Sequence, residues 1–208
     1  MHLLSTHIMG QDNALGLDDV VLPPFEAITA TPGVPGDSTS SDADFTVGVV
    51  GRKITVAPTG LWSGVEITPQ ATPRDPSPGP VQLLAKPIQL LVVEGQDGKE
   101  VAATSAAPTR VTHATATTLR TESEWSAGTS LRGRTTVAYD IDGCAKITLE
   151  LQPPTAPISA LSLQIPLQLS EVYLMHSITD LLRNHFAGRI PAGDGEVYNT
   201  TAINRYQL

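Results

Sequence analysis

Little in this chain is grouped as a reaction would need it. The nearest approach to a catalytic pair is two sets of neighbouring acids, Asp18-Asp19 and Glu122 with Glu124. Glycosidic hydrolysis uses two carboxyl groups held rigidly at a set separation, one an acid and the other a base or nucleophile. Here the first set lies in an N-terminal loop and the second on a Thr-rich strand, places where acids are ordinarily just solvated. The five histidines, His2, His7, His113, His176 and His185, include no pair at metal-ligand spacing on one element, so no metal is expected. Asp37, Asp42 and Asp44 offer oxygens for calcium, but their spacing fits no defined calcium loop and reads as a solvated acidic turn. No serine stands in a G-x-S-x-G elbow. Cys144, the single cysteine, sits at a hairpin turn and reads as a small strand residue; within one chain it excludes a disulfide and a cysteine-based metal cluster. Gly193-Asp194-Gly195 lacks the buried strand before it and the helix after it that a nucleotide loop requires. No cofactor and no catalytic residue are expected from these patterns.

Aromatic rings offer another chemistry. Sugar-binding sandwiches stack a pyranose face on an exposed ring while acids and amides bond the hydroxyls. Trp62 lies in the Gly-flanked stretch Gly60-Leu-Trp-Ser-Gly64, read as a loop, and Tyr173, Tyr198 and Tyr206 come late. Trp62 and Tyr198 are the candidate ligand-binding residues. With aromatics only 4% of the chain, each ring is also a natural core anchor: Trp62 reads either way, Trp125 as core. Asn199-Thr200-Thr201 matches an N-glycosylation acceptor, which matters only in a eukaryotic secretory path.

Strands must position whatever the chain uses. Residues 134–169 carry the clearest pattern. Thr135, Val137 and Tyr139 alternate with outward partners up to an Asp142-Gly143 turn, a strong hairpin signal. On the return, Ala145, Ile147, Leu149 and Leu151 oppose Lys146, Thr148, Glu150 and Gln152. After Pro153-Pro154, Leu161, Leu163, Ile165, Leu167 and Leu169 alternate with polar residues, so three antiparallel strands, the hairpin and this one, are nearly written out. A period of two predicts strands with one face buried and one wet.

The totals agree. A chain of 208 residues with 17 Gly and 17 Pro can bury a real core as an all-β sandwich or barrel. A formal charge of −8 with 13 Lys plus Arg argues against nucleic acid or an anionic membrane as partner. No window is apolar for a membrane span, and MHLLSTHIMGQD does not read as an intact secretion signal.

Taken in order, residues 1–16 read as irregular, 17–190 as an antiparallel β-sandwich domain and 191–208 as an extended C-terminal segment. Further strands are expected over Glu26–Thr31, in two pieces of Phe45–Ala57 turning near Gly51, and over Val65–Thr68. Others are expected over Ile88–Val93, from Glu100, through 109–125 as one long strand or a pair, and over Glu171–Met175. Five prolines make residues 68–80 an extended excursion. Ser177 with Asp180 resembles a capping box, and the stripe Ile178, Leu181, Leu182 before Gly188 predicts one short helix over 177–188.

Several stretches together resemble the N-terminal β-sandwich domain of glycoside hydrolase family 123 and its relatives. They are LDDVVLPPFEAI (17–28), VGRKITVAPTGLWSGVEI (50–67), LLAKPIQLLVVEGQDGKEV (83–101), the Trp125 segment, VAYDIDGCAKITLELQP (137–153), LSLQIPLQLSEVYLMH (161–176) and LLRNHFAGRIPAGDGEVYN (181–199). The resemblance implies a sandwich preceding a (β/α) barrel. In that family hydrolysis of N-acetyl-β-galactosaminides is substrate-assisted and uses an Asp-Glu pair on the barrel. No segment here corresponds to that pair, and the Pro-rich 69–80 and the end NRYQL depart from the pattern. The resemblance favours an extracellular or cell-surface setting.

The leading expectation is therefore a non-catalytic β-sandwich module that recognises carbohydrate or supports a glycosidase catalytic domain. Its partners would be a glycan, a covalently following catalytic domain or further copies of itself. A structural subunit of a surface or particle assembly, pairing through exposed edges, is the second expectation. A small glycosidase is the third.

Overall fold

Two ten-residue strands with strict alternation need a layer to bury one face, and β9 (Thr118–Ala127) and β10 (Leu131–Asp140) set the plan of the molecule. A computed structural model describes residues 19–31, 45–95, 98–177 and 186–190. Leu119, Thr121, Ser123, Trp125 and Ala127 are buried on β9, as are Leu131, Gly133, Thr135, Val137 and Tyr139 on β10. Register places Trp125 opposite Gly133 and Leu119 opposite Tyr139, so both rows face one way. The flanking strands β8 (Arg110–Ala114) and β11 (Ala145–Leu151) complete a four-stranded antiparallel layer in the order β11-β10-β9-β8.

Two further antiparallel sheets, of five and three strands, cover that face. One joins β1 (Thr29–Thr31), β2 (Phe45–Val49), β3 (Arg52–Val56), β4 (Trp62–Ile67) and β5 (Val81–Gln82) in sequence order. It brings Phe45, Val47, Val49, Ile54 and Val56 against Leu119, Val137 and Tyr139. The other runs β12 (Ile158–Gln164), β6 (Gln89–Glu94), β7 (Glu100–Ala102) and sets Ile88, Leu90 and Val92 against Trp125, Ala127 and Leu131. Each fully buried side chain of this kind stabilises the fold by about 1.5–3 kcal/mol. A separate two-stranded ribbon pairs β13 (Leu174–Ser177) with β14 (Phe186–Arg189). The fold is all-β and sandwich-like, as the alternation predicts.

The turns follow the expected chemistry. Gly51 and Gly143 take positive φ of 65° and 82° at the β2–β3 and β10–β11 hairpins. The parity switch in Phe45–Ala57 is thus a tight hairpin. Between β8 and β9 the Thr-rich segment also breaks, giving the pair of strands.

Four expectations change. The stripe Leu161–Leu169 is not a buried strand face: β12 ends at Gln164 before Pro166, and Leu161, Leu163, Ile165, Leu167 and Leu169 are all exposed. Nor does β12 join the β10–β11 hairpin; it pairs with β6 in another sheet. Trp62 begins strand β4 instead of sitting in a loop. The helix over 177–188 has strand at both ends, because pairing of β13 with β14 takes Ser177 and 186–188 into a ladder. Residues 178–185 lie outside the described part, and no helix occurs among the described residues.

Candidate functional site

Trp62 is held from several sides. Gly60, at φ 80°, lets the chain turn tightly just before it. A Cβ at Gly60 would stand 2.9 Å from Thr135 and 3.0 Å from Ser123 Oγ, so only glycine brings this loop so close to the facing layer. The Trp62 ring stacks on Tyr139 with centroids 6.5 Å apart and planes 23° from parallel. Its indole N–H donates to the Tyr139 hydroxyl at 3.3 Å. Its carbonyl accepts the Ile88 N–H at 2.9 Å, tying β4 to the segment that leads into β6. The side chain is half-buried and packs against both core clusters. Burial pushes the Tyr139 hydroxyl up to about 12. Tyr198 lies outside the described residues.

The carboxylates are spread across the outer face and the turns. Glu122 pairs with Arg110 and, at 3.6 Å, with Arg134, while Arg134 also pairs with Glu150. The four side chains form a charge ladder across β8, β9, β10 and β11, each sign beside its opposite. At one end of the ladder lies a cleft of about 450 Å³, whose walls include Glu124, Arg132, Arg134, Glu150 and Gln152. Its polar groups suit ligand hydroxyls, but the ring beneath it, Trp125, is 4% exposed. Trp125 spends its indole N–H on Thr135 Oγ1 at 3.0 Å. Gly133 must be glycine here, since a Cβ would lie 2.3 Å from the Trp125 ring.

Other acids serve turns. Glu94 accepts from Ser130 Oγ at 2.6 Å and from the Ser130 and Thr129 N–H groups at 2.8 Å each, and these bonds hold its carboxyl below the usual range. Asp142 accepts the Cys144 N–H at 2.7 Å and is held low in the same way, while its side-chain hydrogen bond, and then its charge, raise the Cys144 thiol. Asp19 accepts the Thr117 hydroxyl at 2.7 Å, and Thr117 and Thr115 lower it. Asp18, Asp37, Asp42 and Asp44 lie outside the described residues. Among the described residues no three His, Cys, Asp or Glu side chains gather as a metal site.

The most pronounced surface feature is apolar. Of the twelve exposed large hydrophobic residues among those described, eight fall between Leu151 and Leu174. Sequence reasoning found Leu151 and the stripe Leu161–Leu169 but put them on buried strand faces. The signal that distinguishes them is that no charged residue and no histidine occurs from Leu151 to Ser170. Among the described residues no helix is long and apolar enough to cross a membrane.

Fold and surface together define an antiparallel sandwich domain in which Glu94, Asp142, Glu122 and Glu150 serve turns and strand pairing. The family model for the glycoside hydrolase 123 third domain matches residues 41–178. The chain belongs to that family, as its sequence resemblance implies; the matched description is of the third domain, where the resemblance points to the N-terminal one. No curated protein and no solved structure matches the chain.

Proposed function

We propose that this domain is a non-catalytic module of a glycoside hydrolase, supporting a catalytic domain and cutting no glycosidic bond itself. The observation that carries this reading is the family match over residues 41–178, together with the arginine pairing of Glu122. A glycosidase needs one carboxyl kept protonated near neutrality, hence raised by burial or by a like charge. Asp19, Glu94 and Asp142 are the described carboxyls with a clear shift, and all three are pushed down. Glu122, the centre of the one acid pair on a rigid element, is braced between two arginines.

Two measurements test it. The chain, incubated with an aryl N-acetyl-β-galactosaminide, is expected to release no phenol; turnover abolished by Glu122→Gln or Glu124→Gln would overturn the reading. Joined to a family 123 catalytic domain, it is expected to raise that domain's midpoint of thermal unfolding, and an unchanged midpoint counts against support. Glycan recognition would rest on Trp62 and Tyr198. Array binding that survives intact in a folded Trp62→Ala variant removes Trp62 from that role.

A further inference from the structure

Natural sheets protect their edge strands with charges, prolines, bulges or a covering element, because an open row of backbone groups pairs with whatever strand it meets. Among the described residues β12 is the outer strand of its sheet and pairs only with β6. A register irregularity between Ile158 and Ala160 and the proline at 166 bracket it. Between them the edge carries no charge at all.

Leu161 lies opposite Val92 and Leu163 opposite Leu90, so these leucines point to the side on which Leu90 and Val92 enter the core. They nevertheless stay 43% and 45% exposed. The facing layer ends at β11, whose core-side row fades in the same way: Ile147 and Leu149 are half-buried, and Leu151 is 45% exposed. Ile147, Leu149 and Ile158 pack against one core cluster, so the open flank between β11 and β12 is a continuation of that core.

We propose that the free edge of β12 pairs antiparallel with β12 of a second copy of this chain, closing the flank with Leu151, Leu161 and Leu163 from both. Three observations select a second copy as the occupant. Under a two-fold axis across β12, a period-two strand meets itself in register, apolar row on apolar row and Ser162 and Gln164 within one polar row. The chain carries a net charge of −8, and two copies repel wherever their acids meet. This charge-free stretch lets them approach without bringing acids together. Leu151, Leu161 and Leu163 stay 45%, 43% and 45% exposed, and pairing with a second copy removes that apolar surface from water on both chains.

The dimer is independent of the role proposed above: a supporting module can be single or paired. Sedimentation equilibrium of the chain is expected to show a reversible dimer, and Leu161→Lys with Leu163→Lys to weaken association at least about tenfold. The second arm uses a small replacement that leaves the fold undisturbed. In a Cys144→Ser background, which removes the exposed native thiol, Ser162→Cys is expected to give a disulfide-linked dimer on mild oxidation. Thr148→Cys, on the outer face of β11, is expected to give none. A chain that stays monomeric at high concentration overturns the proposal, as it would if a catalytic domain or another protein were the true occupant. So does a dimer that forms equally well in the Lys variant and links no faster through Ser162→Cys than through Thr148→Cys.

Discussion

β10 and the stretch around β12 carry the same pattern and meet opposite fates. Leu131, Val137 and Tyr139 alternate along β10 and are 1%, 0% and 2% exposed; Leu161 and Leu163 alternate along β12 and keep more than two fifths of their surface. β10 has a strand on each side and two sheets above it, whereas β12 has a neighbour on one side and the end of the facing layer above. Alternation therefore says that a strand has an apolar face. Whether that face is covered depends on the width of the layer opposite, which no local pattern records.

The sharpest way to break this contrast is at Trp125 of β9, whose ring lies against Gly133 of β10. Trp125→Ala is expected to cost about 3–5 kcal/mol in denaturant unfolding, leaving Thr135 Oγ1 without its donor in the buried layer. A loss below about 1 kcal/mol would show that this end of the core is loosely packed. A matched pair of truncations comes next: Leu131→Ala is expected to cost about 2–5 kcal/mol, and Leu163→Ala under about 1 kcal/mol in the dilute monomer. Equal costs would mean that β12 is covered after all.

Smaller again is Thr135→Val, which keeps the shape but strands the buried indole N–H; about 1–3 kcal/mol is expected, and a neutral result would place the Trp125 bond outside the energetics. pH separates the two regions without mutation. Tyr139, raised to about 12, favours folding fully below the ordinary tyrosine value, a contribution lost as pH rises through about 12. Absorbance titration should find a tyrosine ionising at that late point, and none doing so argues against the buried ring. Glu94 gives the least effect and the opposite sign. Its lowered carboxyl favours folding above the usual glutamate range, a contribution lost as pH falls through the folded value. Glu94→Gln should slightly flatten the acid limb of the stability profile, and an unchanged limb would remove the Ser130 contact from the account.

Much of the architecture was legible. The Asp142-Gly143 hairpin, the Gly51 turn, the strand over Ile88–Val93 and the buried Trp125 could each be read from two or three neighbouring residues, because turn chemistry and strand period are local. The candidate site was less so. Trp62 could be named but not placed: Tyr139, 77 positions away, decides what its ring stacks on. Glu122 and Glu124 looked like a pair in sequence, yet Glu122 answers to Arg110 and Arg134 on the neighbouring strands. Nothing local in Ser177–Gly188 announced that its ends would be drawn into a two-stranded ribbon.

By itself the sequence determined the all-β class and where most of the strands and turns fall. Only the tertiary structure decided which apolar faces are closed. That choice depends on how far one sheet reaches across another, and it is made by residues far apart in the chain. It is why the clearest stripe of the sequence, from Leu161 to Leu169, is an open surface and not the centre of the core.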